Sequence, residues 1–362
     1  MSREICISLQ DRSYRIVVAG HECWAGLALP ELREQGRRAV LVTDERVGPL
    51  WSQFVRDSLT LKAMEVSEIR VPDGEPSKDL GTLGLLLDAF LRAGLRRDGW
   101  VVALGGGVVG DLAGFAAATY LRGISLLQIP TTLLAMADSS VGGKVAVNYG
   151  GAKNLAGAFY QPRLVLTSPG FLSTLPDEEL ANGLAEVIKV AIVGDAGLFD
   201  LLESRTDAIW ARDPQVLEEL IARSASAKAR IVAQDELEQG LRQLLNLGHT
   251  LGHALEAATG FAGLRHGEAV GVGLVAACHL SVLLGIAPEA HRARVERLLA
   301  RHRLPTRCQV VRWEDLKPWL HHDKKAREDG WTFVLTGGVG DARVHRRVPE
   351  ASVREAAAYV LA

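Results

Sequence analysis

The sequence has little cysteine and no dominant charge. Four cysteines, Cys6, Cys23, Cys278 and Cys308, are scattered through 362 residues without a C-x-x-C pair, which excludes a disulfide framework and a zinc-ribbon spacing. Lys and Arg number 41 against 43 Asp and Glu, a formal charge of −2, and that balance excludes a bulk electrostatic grip on nucleic acid or an anionic membrane. The opening residues Met-Ser-Arg-Glu-Ile-Cys-Ile carry charge early and form no apolar core ending in small residues, so export is not expected. The expectation is therefore a reduced, cytoplasmic protein. One run, Ala269 to Pro288, holds 20 residues without Asp, Glu, Lys or Arg, close to the length that spans a bilayer. It contains Gly271, Gly273, His279, Ser281 and Gly285 and has no asymmetric basic flank, so a buried helix is expected.

What is present is an ordinary globular composition, 48% hydrophobic and 23% charged, long enough for about two domains. The first half alternates strand-like and helix-like segments, the pattern of a parallel sheet with crossover helices. Ile5–Leu9 and Tyr14–Val18 form a candidate hairpin. Ala39–Thr43, Glu65–Val71, Trp100–Leu104 and Ile124–Ile129 read as short apolar strands, with a helical period over 79–93. After Pro176 the periods become long and helical, over 177–193, 214–233, 241–258, 268–286 and 290–301. Strand signals return at Trp331–Leu335 and Ala342–Val348, before a final helix. The boundary is placed near 175, giving a nucleotide-binding α/β domain over 1–175 and a mainly helical domain over 176–362.

Strand 100–104 leads into Gly105-Gly106-Gly107-Val108-Val109-Gly110-Asp111 and then a helix-compatible run. Such glycines let backbone approach a pyrophosphate, and the helix N-terminus supplies oriented N–H groups. The same residues also suit a merely tight strand-to-helix turn. No Asp or Glu occurs between Asp111 and Asp138, so the usual ribose acid about 20 residues on is absent. Asp44 and Glu75, at strand ends, are the candidates to replace it.

In the segment 241–256, Arg242, Asn246, His249, His253 and Glu256 are spaced 4, 3, 4 and 3, which puts them on one face of a helix. His249 and His253 can both ligate a metal, or one can ligate while the other meets substrate. His266 follows, and Glu186 and Lys189 stand at i and i+3. Two imidazoles and one carboxylate with an open position are an ordinary catalytic zinc set. His21, His279, His291, His302 and His345 are expected to be structural or surface residues. Pro130-Thr131-Thr132, the segment Asp138 to Lys144 and Lys153-Asn154 combine small residues with lysines, which suits phosphate. Lys228, Lys324 and Lys325 add cations.

Taken together these segments resemble the 3-dehydroquinate synthase family, within the sugar phosphate cyclases. The resemblance is carried by 73–78, 105–123, 130–144, 153–162, 184–189, 228–236, 242–256, His266-Gly-Glu268 and Asp323-Lys-Lys325. It implies an α/β, Rossmann-like N-terminal domain that binds NAD and a mainly α-helical C-terminal domain that binds a divalent metal, usually Zn2+ with Co2+ an alternative. By position, Glu186, His249 and His266 would ligate the metal, leaving His253 to substrate. NAD would meet Asp73, Gly74, Glu75, Pro76, Ser77 and Lys78, then Gly107, Val108, Val109, Gly110 and Asp111. Thr131, Thr132, Lys144, Lys153, Phe171, Leu172, Ser173 and Thr174 would complete its contacts, with Asp44 on a ribose.

The implied reaction turns 3-deoxy-D-arabino-heptulosonate 7-phosphate into 3-dehydroquinate through oxidation, phosphate elimination, reduction, ring opening and aldol closure. Lys144, Asn154, Asn246, His253 and Lys324 would cradle phosphate, and Lys189, Lys228 and Arg242 would meet carboxylate and hydroxyls. Asp138 is carried over among the catalytic positions. Arg122 would reach a neighbouring subunit's site, which implies a homodimer with a small-molecule sugar phosphate substrate and neither nucleic-acid nor membrane partners. The chain departs from the family pattern at Val145-Ala146, Tyr149-Gly150-Gly151-Ala152 and Asp177-Glu178. The rivals are a cyclase acting on sedoheptulose 7-phosphate or glucose 6-phosphate, a metal-dependent polyol dehydrogenase, and an inactive NAD-binding scaffold.

Overall fold

The computed structural model describes residues 2–32, 36–260, 263–322 and 331–362. They divide into two units, Met1–Leu175 with Leu217–Glu236, and Pro176–Val216 with Leu237–Ala362. The segment 217–236 thus groups with the first unit, whereas a single cut near 175 would leave it in the second.

The first unit is built on nine strands: β1 (Ser2–Ile7), β2 (Tyr14–Ala19), β3 (Arg38–Asp44), β4 (Glu65–Val71), β5 (Trp100–Gly105), β6 (Ser125–Pro130), β7 (Lys144–Tyr149), β8 (Ala152–Phe159) and β9 (Leu164–Thr167). Seven form one sheet in the order β1-β2-β9-β6-β5-β3-β4. All neighbours are parallel except β1 against β2. β5 and β6 are buried at every position, as continuous apolar runs at the centre of a parallel sheet must be. Helices α1 (Gly48–Thr60), α2 (Leu80–Arg92) and α3 (Gly107–Thr119) connect them. Asp79 starts α2 by accepting a hydrogen bond from Thr82 N at 2.7 Å, satisfying one of the helix's orphan donors. Phe90 from α2, Leu112 and Ala116 from α3 and Val101 from β5 close one core. Because β4 and β5 lie on opposite sides of β3, the strand order reverses between β3 and β5, and a crevice outside the carboxyl ends of such strands is where ligands bind in open α/β sheets. Asp44 ends β3 and Gly105 ends β5.

Lys144 and Lys153, taken from the sequence as phosphate candidates, lie on a hairpin, β7 paired antiparallel with β8. Its turn is Gly150-Gly151, with φ of 60° and 79°, values that cost glycine nothing. Gly114 of α3 has no space for a Cβ because Val145 of β7 packs against it. Strand β9 and helix α1 were not read from the sequence.

The second unit contains α4 (Asp177–Gly194), α5 (Ala196–Ser204), α6 (Thr206–Trp210), the start of α7 (Pro214–Gln234), α8 (His249–Ala258), α9 (His266–Leu283), α10 (Glu289–Arg301), α11 (Trp313–His322) and α12 (Glu350–Leu361), with the strand pair β10 (Trp331–Thr336) and β11 (Ala342–Val348). The charge-free run is α9, packed by α8, α4, α10 and α12. It is the one described helix long and apolar enough to cross a membrane, and 72% of it is buried inside the fold, as expected for a core helix. The continuous helix predicted over 241–258 is a correction. Residues Leu241–Asn246 form a 3-10 turn, Gly248 takes φ 79°, and α8 begins only at His249. The left-handed glycine breaks the period, so Arg242 and Asn246 do not share one helical face with His249, His253 and Glu256. Asp177, one of the departures from the family pattern, sits in the first turn of α4, where an acid suits the helix dipole. It accepts from Arg212 and Arg303, each at 2.7 Å.

Candidate active site

In the second unit, three helices deliver a carboxylate and three imidazoles to one place. Glu186 and Lys189 lie one turn apart on α4 and are both buried. His249 opens α8, and His266 opens α9. Gly248 and Gly273 let α8 and α9 cross at backbone contact: a Cβ on Gly273 would collide with the Gly248 carbonyl. His249 Nε2 and His266 Nε2 point at the same atom, Glu186 Oε1, at 3.4 and 3.2 Å. The other Glu186 oxygen, Oε2, accepts from Lys189 Nζ. The ligating atoms of Glu186, His249 and His266 lie within 4.8 Å of one another.

Charge at this cluster follows from burial and pairing. Burial pushes the Glu186 carboxyl up, but the Lys189 ammonium and the imidazoles of His249 and His266 outweigh it and hold the group well below the usual carboxylate range. Burial takes His249 down to about 3, so its imidazole is neutral and able to offer a lone pair. His266 is the opposite case: burial opposes its charging, yet hydrogen bonds to Glu186 and Glu256 carry it up to about 10. Two imidazoles and a carboxylate, tightly convergent, fit a divalent metal of the zinc type. A second overlapping set, His253, Glu256 and His266, also has close donors, but His253 is exposed and its ring centroid is 6.1 Å from that of His266. Nearby, Asn246 Nδ2 donates to Glu238 Oε1 at 2.7 Å, and Arg242 is buried. Glu238 carried no sequence signal. Lys324 and Lys325 lie outside the described residues.

In the first unit, the glycine-rich turn sits at the switch point. Gly106 caps α3, Gly107, Val108, Val109 and Gly110 form its first turn, and Asp111 follows. Gln128 holds this turn by donating to the Gly110 carbonyl at 3.1 Å. Lys78, buried, donates to Asp111 Oδ2 at 2.6 Å and also to Asn154 Oδ1. Burial pushes the Asp111 carboxyl up, and Lys78 partly offsets this. Asn148, absent from the sequence-based candidates, ties the parts together: its amide donates to Glu75 Oε1 at 2.7 Å and its carbonyl accepts from Asn154 N at 2.8 Å. Asn154 adopts φ 56°. No spacing pattern points to Asn148, since its partners lie 73 and 6 residues away.

Around the turn, Asp73 and Gly74 lead into Glu75-Pro76-Ser77, where Ser77 Oγ donates to the Gly74 carbonyl at 2.7 Å. Asp44 Oδ1 accepts from Arg46 N and Val47 N at 2.9 and 2.6 Å. Thr131 Oγ1 is buried without a hydrogen-bond partner, an orphan donor and acceptor beside Gly105, whose carbonyl accepts from Thr131 N at 2.9 Å. A polar ligand at the turn would satisfy it. Thr132 Oγ1 accepts from Ala135 N at 3.2 Å. Phe171 and Leu172 are buried, with Phe171 packed on His21, Trp24 and Trp51, so both serve the core of this unit. Ser173 donates to the Gly170 carbonyl, and Thr174 accepts from Trp51. Lys144 and Lys153 are exposed on the hairpin. Lys228 reaches Asp138 twice, at 2.8 Å to Oδ1 and 2.7 Å to the carbonyl. Arg122 is exposed at φ 67°, next to Leu121 at φ 51°.

Comparison with known proteins places both halves in one class. Residues 68–182 match the N-terminal profile of 3-dehydroquinate synthase, and residues 183–326 match its C-terminal profile. The chain is 44% identical over 347 residues to a 3-dehydroquinate synthase of Citrifermentans bemidjiense, covering 96% of each chain. It belongs to the 3-dehydroquinate synthase family. Among solved structures it is similar to a 2-epi-5-epi-valiolone synthase of Streptomyces hygroscopicus with NAD+ and Zn2+ bound, at TM-score 0.88 and 31% identity over 98% of both chains. It is also similar to a 2-deoxy-scyllo-inosose synthase in complex with carbaglucose-6-phosphate, NAD+ and Co2+, at TM-score 0.87 and 27% identity over 100% of both.

Proposed function

We propose that the chain is a 3-dehydroquinate synthase, a phosphate-eliminating carbon–oxygen lyase that converts 3-deoxy-D-arabino-heptulosonate 7-phosphate to 3-dehydroquinate in the shikimate pathway. The observation that carries this reading is identity of 44% to a curated 3-dehydroquinate synthase across 96% of both chains. NAD and a divalent metal are the cofactors in this reading, with Zn2+ favoured by a donor set of two imidazoles and a carboxylate. When bound, they would supply hydride acceptance and return and the acidification of a substrate hydroxyl.

The chain's own residues do the rest. Glu186, His249 and His266 would hold the dication, while Lys189 neutralises the carboxylate oxygen turned away from it. The orphan Thr131 hydroxyl, the α3 N-terminus and the Lys78–Asp111 pair support dinucleotide binding at the switch point. Lys144, Asn154, Asn246 and His253 would receive phosphate. Arg242 would hold the substrate carboxylate, and Lys228, oriented by Asp138, the hydroxyls. Fixed cations of this kind work by positioning and by stabilising developing charge. The reading also makes the protein a cytoplasmic homodimer in which Arg122 serves the neighbouring subunit. Incubation of the purified chain with NAD+, Zn2+ and 3-deoxy-D-arabino-heptulosonate 7-phosphate should give 3-dehydroquinate, identified by mass and chromatographic retention. Unchanged substrate would overturn the proposal.

A further inference from the structure

A histidine ligates through one ring nitrogen, and which one is free is set by what the other nitrogen meets. In His249, Nδ1 lies 3.2 Å from the Leu247 carbonyl. A carbonyl only accepts, so Nδ1 carries the proton and Nε2 keeps its lone pair. In His266 the corresponding partner is Glu256, whose Oε2 lies 3.2 Å from Nδ1. Glu256 is buried and sits two turns after His249 on α8, so the i, i+7 spacing places it on the same face. One short helix therefore supplies a donor of its own and the group that orients the donor on α9. The two orienting partners differ in charge, since the carbonyl is neutral and the carboxylate is anionic.

We propose that Glu256 is a positioning residue for the metal site: it fixes His266 as an Nε2 donor and adds a negative charge that strengthens the hold on a dication, without ligating it. This rests on the metal reading above. Direct ligation is the less apt geometry, because the Nε2 atoms of both histidines already converge on Glu186, and the set containing Glu256 needs the exposed His253 as its third member.

The test is Zn2+ affinity of the full chain by competition with a chromogenic chelator, for wild type, E186Q, E256Q and E256A, with visible spectra of the Co2+ forms. Loss of an outer partner of a metal-bound histidine costs about 10–100-fold in affinity. E256A is expected in that range and E256Q no worse than E256A, because the amide oxygen still accepts from Nδ1 but brings no charge. E186Q is expected to lose more than either. The Co2+ bands of E256A should shift in shape, which a loss of stability alone would not produce. If E256A does not fold, the isosteric E256Q carries the comparison. Wild-type affinity in both Glu256 variants would overturn the proposal alone, and so would an E256Q loss equal to that of E186Q, which would make Glu256 a ligand. Failure of the wild type itself to bind Zn2+ would instead overturn the metal reading and this inference with it.

Discussion

His266 meets Glu186 at 3.2 Å through Nε2 and Oε1, while Glu186 gives its other oxygen to Lys189. A carboxylate that is fully buried must be compensated on both sides, and here an ammonium does so permanently and the imidazole side is free to take a dication. Lys189→Met should therefore destabilise the metal-free protein by about 3–5 kcal/mol, the cost of stranding a buried charge. Saturating Zn2+ should shrink that difference, because a dication on Glu186 compensates the stranded carboxylate and so stabilises the variant more than the wild type. Urea unfolding with and without Zn2+ reads both numbers. An equal loss in the two conditions would mean that the ammonium and the metal do not share a carboxylate.

Lys144 lies at the start of the hairpin, exposed, in a segment suited to phosphate. Lys144→Ala should lower kcat by about 100-fold or more, the scale of removing one charge-stabilising donor, while NAD+ affinity changes far less. Steady-state kinetics set beside fluorescence titration of the dinucleotide separate the two. Equal losses would make Lys144 mainly a dinucleotide contact.

Gly273 faces the Gly248 carbonyl with no room for a methyl group. Gly273→Ala should cost about 1–3 kcal/mol as overpacking, and by pushing α8 off α9 it should separate His249 from His266 and weaken Zn2+ binding. Gly285→Ala is a useful control of a different kind, since φ of 68° strains its backbone without any neighbour within reach: it should lose stability but keep the wild-type metal affinity. Metal affinity unchanged in Gly273→Ala would show that the crossing does not set the ligand geometry.

His302 is fully buried, donates to the Leu202 carbonyl through Nε2 at 3.1 Å, and has no partner at Nδ1. Burial lowers it to about 4 from its ordinary 6.5. The unfolded chain binds this proton first, so the contribution is fully present above pH 6.5, falls as pH drops, and is gone below about 4. Over that window it amounts to about 3 kcal/mol. In His302→Gln the difference in unfolding free energy between pH 7 and pH 4 should shrink by about that amount. An acid limb identical to wild type would assign the loss to other groups.

The parts legible in the sequence were those where one physical signal dominates. β5 and β6 are apolar at nearly every position because both faces are covered, and α9 announced itself by the lack of charge. Donor chemistry, restricted to few residue types, pointed to Glu186, His249, His253 and His266 without choosing among the histidines, and the family resemblance named Glu186, His249 and His266, whose donor atoms lie within 4.8 Å of one another. The hairpin was hidden because β8 is exposed at Ala152 through Leu155, so no alternation of apolar and polar residues marks it. The break at Gly248 was hidden because the polar spacing continues unchanged through the 3-10 turn before it. Asn148 and the orienting role of Glu256 depend on partners brought together by the fold, which no local pattern encodes.

The central claim is that this chain performs the dehydroquinate-forming elimination and returns its hydride. Phosphate release should be measured from 3-deoxy-D-arabino-heptulosonate 7-phosphate and, in parallel, from sedoheptulose 7-phosphate, with NAD+ and Zn2+ present and absorbance following NADH. The account predicts stoichiometric phosphate from the first substrate only, no net NADH, and loss of activity on chelation. Release from sedoheptulose 7-phosphate alone, or NADH accumulating with turnover, would contradict it.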